Sequence, residues 1–106
     1  MKEMTKSTQQ RTCFVVFITT EYASLQTAMS EAPDDIAAHI ARSKMFHERG
    51  DLLMGGAFLD QPEERVSTMA VLVSRQVAEE YVQGDPFVLK GMVRTWTVRE
   101  WANMLG

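Results

Sequence analysis

Cysteine is almost missing from this chain. Cys13 is alone among 106 residues, so no intrachain disulfide can form and a reducing compartment suits the protein. It sits inside the apolar run 12–19, which marks it as a buried, inert thiol rather than a nucleophile. Clustered positive charge is missing too. Eleven Lys and Arg against fourteen Asp and Glu leave a net charge of -3, which excludes nucleic acid as a partner because phosphate binding needs grouped cations. No stretch approaches the roughly eighteen apolar residues of a membrane span. The apolar segment 13–18 is too short, and stands behind too many polar residues, to be a secretory signal. The expected location is the cytoplasm, with no membrane partner. No serine elbow is present, and neither Lys nor Ser/Thr follows Gly55-Gly56 at the offset a phosphate loop requires.

What the chain does have is an ordinary globular balance, 45% hydrophobic and 24% charged, over a length that supports one domain. Residues 1–11 read as a frayed polar tail and 12–106 as the domain. Residues 12–19 are β-branched and aromatic at odd and even positions alike, the pattern of a strand buried on both faces. A connection over 20–33 follows, with a helical turn around 23–29. Asp34 stands where an N-cap would, and the helix 35–49 ends at Gly50. Residues 52–59 form a second strand, which Gly55-Gly56 would interrupt with a bulge or a close approach. A third strand covers 66–73, a helix capped by Ser74 runs 75–83, Gly84 ends it, and 92–98 makes a fourth strand ahead of a tail carrying Trp101. The order βαββαβ folds as an α+β, ferredoxin-like sandwich, a four-stranded antiparallel sheet with both helices on one face. The other face, apolar but uncovered, predicts a homodimer joined sheet to sheet, or a higher oligomer built from it.

Winding the first long helix at 100° per residue puts Ile36, His39, Ile40, Ser43, Phe46 and His47 on one arc of about 120°, and leaves Arg42 outside it. The two histidines are eight residues apart, about 12 Å of rise, too far to share a metal ion. No metal and no cofactor is expected. His47, near the helix C-terminus, reads as a dipole-favoured residue. His39 in the buried arc needs a partner, and a carboxylate would hold its tautomer and leave the other nitrogen free to move a proton. Asp85, on the Gly84-Asp85-Pro86 corner, is the first candidate, and Asp35, one helical turn from His39, competes with it.

The passages Ala38-His39-Ile40, Met45 through Leu53 to Gly56, and Gly84-Asp85-Pro86-Phe87 through Gly91 to Trp96 together resemble the YciI-like (YCII-related) family. The resemblance spans about residues 12–101. It implies a ferredoxin-like subunit that dimerises into an α/β barrel, similar in fold to muconolactone-isomerase-like proteins. The family's His and Asp fall on His39 and Asp85, and its orienting Pro on Pro86. It also implies an acid/base activity such as dehydrochlorination of a chlorinated hydroxyhydroquinone, although most members have no assigned reaction. Two departures stand out: Ile36 where the family often has Arg, and Ala57 where it has Pro. The expectation is a small enzyme performing elimination, dehydrochlorination or isomerisation on a small cyclic hydroxylated ligand. His39 would move the proton, Asp85 and Pro86 would orient it, Gly56 and Ser43 would contact the ligand, and Phe14, Phe46 and Phe87 would supply apolar walls. The competing expectation is a non-catalytic dimeric module that uses the same cleft to bind a small molecule or to serve as an accessory subunit.

Overall fold

The computed structural model describes residues 12–105. The expectation for residues 1–11 therefore lies outside the described residues. In chain order the elements are β1 (Thr12–Thr20), α1 (Leu25–Glu31), α2 (Pro33–Glu48), β2 (Leu52–Ala57), β3 (Ser67–Leu72), α3 (Arg75–Gln83), α4 (Pro86–Leu89) and β4 (Val93–Ala102). The four strands form one antiparallel sheet in the order β2-β3-β1-β4, the ferredoxin-like arrangement. No helix of the described residues is long and apolar enough to cross a membrane.

Alternation along β1 sorts the core. Val16 and Ile18 face the helices and pack with Leu52, Ala70, Leu72, Phe46, Ala78, Tyr81 and Val82. Cys13 and Val15 face the other way and form a separate apolar cluster with Val71, Phe17 and Met69. Both sides of the central strands are thus apolar, which is why β1 lacks a simple alternating pattern. β4 runs on to Ala102, so Trp101 lies within the sheet opposite Cys13 rather than in a tail. The bulge in β2 falls between Leu52 and Met54, and Gly55 and Gly56 are regularly paired with Ala70 and Met69. Of the two readings of the glycine pair, the bulge is therefore misplaced.

The helices begin where local chemistry dictates. Ser74 is the N-cap of α3 and accepts from the Val77 N–H at 3.1 Å. Ser24 caps α1 in the same way, accepting from the Thr27 N–H at 3.1 Å, so the expected single turn is a complete short helix. α2 starts one residue before the expected Asp34 cap. Pro33 occupies its first turn, where a missing N–H costs nothing, and Ala32 serves as the cap residue while still bonded to the Ala28 carbonyl of α1. Asp34 and Asp35 lie in that first turn, where the helix dipole favours negative charge. Beyond its other end Gly50 takes a φ of 83°, the left-handed turn that favours glycine.

Arg42, outside the predicted arc, ties α2 to α3. Its guanidinium donates to the Tyr81 and Glu80 carbonyls at 2.7 and 2.8 Å, satisfying acceptors in the last turn of α3, and lies 4.7 Å from the Phe46 ring centre. Gly84 ends α3 with an unstrained φ of -101°, so its lack of a side chain matters for space: a Cβ there would collide with the Arg42 guanidinium. Gly84→Ala is expected to cost about 1–3 kcal/mol, because the arginine must give up its carbonyls. Urea unfolding of Gly84→Ala, Arg42→Ala and the double variant checks this, and the two losses should be strongly non-additive.

Candidate functional site

Pro86 organises the site. It biases the residue before it toward extended backbone, and Asp85 accordingly takes φ -64° and ψ 133°. As the first residue of α4 it leaves the next two N–H groups to be satisfied by a cap. Asp85 is that cap: its Oδ2 accepts from the Phe87 N–H at 3.0 Å and the Val88 N–H at 3.4 Å. The expected Asp-Pro corner is therefore the start of a one-turn helix. Asp85 is only 1% exposed, and a carboxylate buried this deeply requires partners at both oxygens.

Its second oxygen faces α2. Oδ1 of Asp85 lies 2.5 Å from Nδ1 of His39, across 46 residues of chain. An ionised carboxylate only accepts, so Nδ1 carries the proton and Nε2 remains for other work. The competing Asp35 is engaged elsewhere, 2.8 Å from the Lys90 ammonium, which it holds above the usual lysine range. The His39 ring is flanked by Phe87 and Tyr81, with ring centres 5.4 and 6.4 Å away.

His39 opens onto a cavity of about 730 Å³ between α2, α1 and the β2–β3 half of the sheet. Ile36, Ile40, Ser43 and His47 of the helix arc line it, as do Gly56 and Phe87. Phe46 does not: it turns into the core, 1% exposed, beneath Arg42 and against Tyr81. Phe14 does not either, since it packs at the far end of β1 with the Arg75 guanidinium 5.0 Å from its ring centre. Gly56 pairs with Met69, whose side chain belongs to the open sheet face, whereas Gly55 pairs with Ala70 on the helix side. Both glycines border the cavity, but the missing side chain that opens it is that of Gly55.

Tyr81 and His47 also line the cavity. Tyr81 of α3 shares a hydrogen bond of 2.7 Å with Ser43. Burial pushes its phenol above the usual range; the Ser43 bond opposes the rise, Asp85 adds to it and Arg42 works against it. His47 directs Nδ1 to the Leu52 carbonyl at 2.7 Å, a tertiary bond and not a dipole effect alone. Lys44 also lines the cavity, so a cation is present although Ile36 stands where the family often has Arg.

A YCII-related domain model matches residues 11–102. The chain belongs to the YCII-related family. No curated protein matches it significantly. Among solved structures it is similar to 5-chloro-2-hydroxyhydroquinone dehydrochlorinase (TftG) from Burkholderia phenoliruptrix AC1100, in complex with 2,5-dihydroxybenzoquinone. That similarity has 22% identity and a TM-score of 0.59, over 84% of this chain and 92% of that one. It is also similar to Rv0793 from Mycobacterium tuberculosis (11% identity, TM-score 0.53, 86% and 93% covered) and to protein SO0527 from Shewanella oneidensis (13%, 0.52, 87% and 90%). At these identities the likenesses establish the shared fold.

Replacing Asp85 separates its two duties. Asn keeps a cap oxygen but presents N–H to His39, so Asp85→Asn is expected to hold the fold within about 1 kcal/mol of its cap contribution while shifting the His39 proton to Nε2. Asp85→Ala orphans buried donors and should cost about 2 kcal/mol or more. Thermal melts and imidazole ¹⁵N shifts read the two effects. Tyr81 sets a separate pH dependence. With its folded pKa raised, its contribution to stability is fully present below the unfolded value of about 10 and is lost as pH climbs through the folded one. Alkaline unfolding should therefore be less steep in Tyr81→Phe.

Proposed function

We propose that this YCII-related protein is a small acid/base enzyme that moves a proton on a hydroxylated ring, with His39 as the proton carrier and Asp85 as the residue that orients it and stabilises the imidazolium. The observation that carries this is the Nδ1 bond of His39 to a carboxylate that is itself buried and capped. It leaves one imidazole nitrogen for substrate at the wall of a largely apolar cavity. Nε2 takes the proton of a ring hydroxyl, and the O–H bond pair moves into the ring as a carbonyl forms. In an isomerisation the imidazolium returns that proton to a ring carbon. In an elimination that carbon bears the leaving group: once saturated by the returned proton, it loses a group such as chloride with its bond pair while His39 takes the proton of a second ring hydroxyl. Neither course changes the total electron count, so no oxidant or reductant enters. The hydroxylated ring bound by the dehydrochlorinase of the same fold is a ligand of the kind such chemistry needs.

We also assign the second copy expected from the sequence to the open sheet face. Cys13, Val15, Phe17, Met69 and Val71 form an apolar cluster there, to which no helix of the described residues contributes. The test of the acid/base function is incubation with 5-chloro-2-hydroxyhydroquinone, following chloride release and uptake of solvent deuterium. His39→Ala and Asp85→Asn should each lower the rate by about 10²–10⁴-fold without abolishing ligand binding. Unchanged rates in both variants would sink the dyad. Light scattering at micromolar concentration should give a dimer, and Val15→Asp should shift it to monomer.

A further inference from the structure

Three of the polar groups of the cavity are ordered along α2. His39, Ser43 and His47 recur every fourth residue, so they share one side of the helix at intervals of about 6 Å of rise. Each is fixed by a second group: His39 by Asp85, Ser43 by the Tyr81 hydroxyl, and His47 by the Leu52 carbonyl. A carbonyl can only accept, so Nδ1 of His47 carries a proton, and in the neutral ring Nε2 is left as an acceptor. Thr20, Lys44 and Thr68 also border the cavity, and Leu25, Met29, Ala57 and Val66 offer apolar side chains to its other walls. The space is also large. A single six-membered ring occupies about as much as four or five waters at ~30 Å³ each, and would leave most of it empty. The cavity of about 730 Å³ is of the size that encloses a drug-sized ligand.

We propose that the cavity takes an elongated, mostly apolar ligand of two or three fused rings, hydroxylated at both ends, and that His47 is the residue that selects it. One hydroxyl meets His39, an end that rests on the acid/base function proposed above. The other donates to Nε2 of His47, on the order of 12 Å further along the helix. The Ser43–Tyr81 pair lies between them, and the apolar walls enclose the ring faces. A one-ring diphenol engages either histidine but not both.

The test uses 2,6-dihydroxyanthraquinone, with hydroxyls at opposite ends, and 2-hydroxyanthraquinone, which lacks one of them. Calorimetry on the wild-type protein should show the first binding about tenfold more tightly. That ratio should collapse to near one in His47→Leu, with a thermal melt confirming that the variant is folded. Because His47→Leu also removes the bond to Leu52, the same question is put to the wild-type protein by imidazole ¹⁵N shifts. The dihydroxy compound should move Nε2 of both histidines, and the monohydroxy compound that of His39 alone. Equal affinities with His47 unmoved would overturn the proposal and leave the role of His39 intact. Failure of both compounds to move either imidazole would overturn both.

Discussion

A single buried carboxylate sets the geometry of this protein's site. One oxygen of Asp85 closes the N-terminus of α4 and the other holds the imidazole of His39, so the position of each is dictated by the other. The arrangement is stable because both oxygens of this carboxylate, only 1% exposed, are engaged: Oδ1 by His39 and Oδ2 by the Phe87 and Val88 N–H groups. It also reaches beyond the pair. Phe87, the second residue of α4, is carried by the capped turn to 5.4 Å from the His39 ring and 5.8 Å from the Tyr22 ring. The wall of the cavity and the orientation of its histidine thus depend on the same contact.

What was legible in the sequence was mainly local. Ser74 before an amphipathic run and Gly50 after one each act within a few residues, and each has the role its chemistry suggested. The pairing of His39 with Asp85 is not of that kind. Periodicity placed His39 on the inner side of its helix but could not choose between Asp35 and Asp85. The family resemblance pointed to Asp85. In the structure, Lys90 occupies the rival, a contact between α2 and the far end of α4 that no local pattern encodes.

The other discrepancies have physical causes as well. An arc of about 120° on a helix is wide enough to span two environments. Phe46 at one part of it enters the core, while His39 and Ser43 at another line open space. In β2 the bulge at Leu53 decides which glycine faces which way, since one extra residue reverses the sides for everything beyond it. A helix of one turn such as α4 has no periodicity to detect, and its cap was accordingly read as a corner.

The cavity also explains why α2 is built as it is. It is the longest helix, sixteen residues, yet Phe46 is its only fully buried side chain. Most of the stripe that would ordinarily pack on the sheet is spent on lining the cavity, so the helix cannot be held chiefly by the burial that stabilises most helices. It is fastened at separate points instead. Its first turn is continuous with α1 through Ala32, its second is tied by His39 to Asp85, and its third is tied by Arg42 to the end of α3. Near its last turn, Arg42 and Arg49 lie 4.7 and 4.3 Å from the Phe46 ring centre. Polar fastenings of this sort fix a helix in position without filling the space beneath it. A site that must admit a ligand between a helix and a sheet needs that combination, and it follows that the bond orienting His39 is also part of what keeps the cavity open.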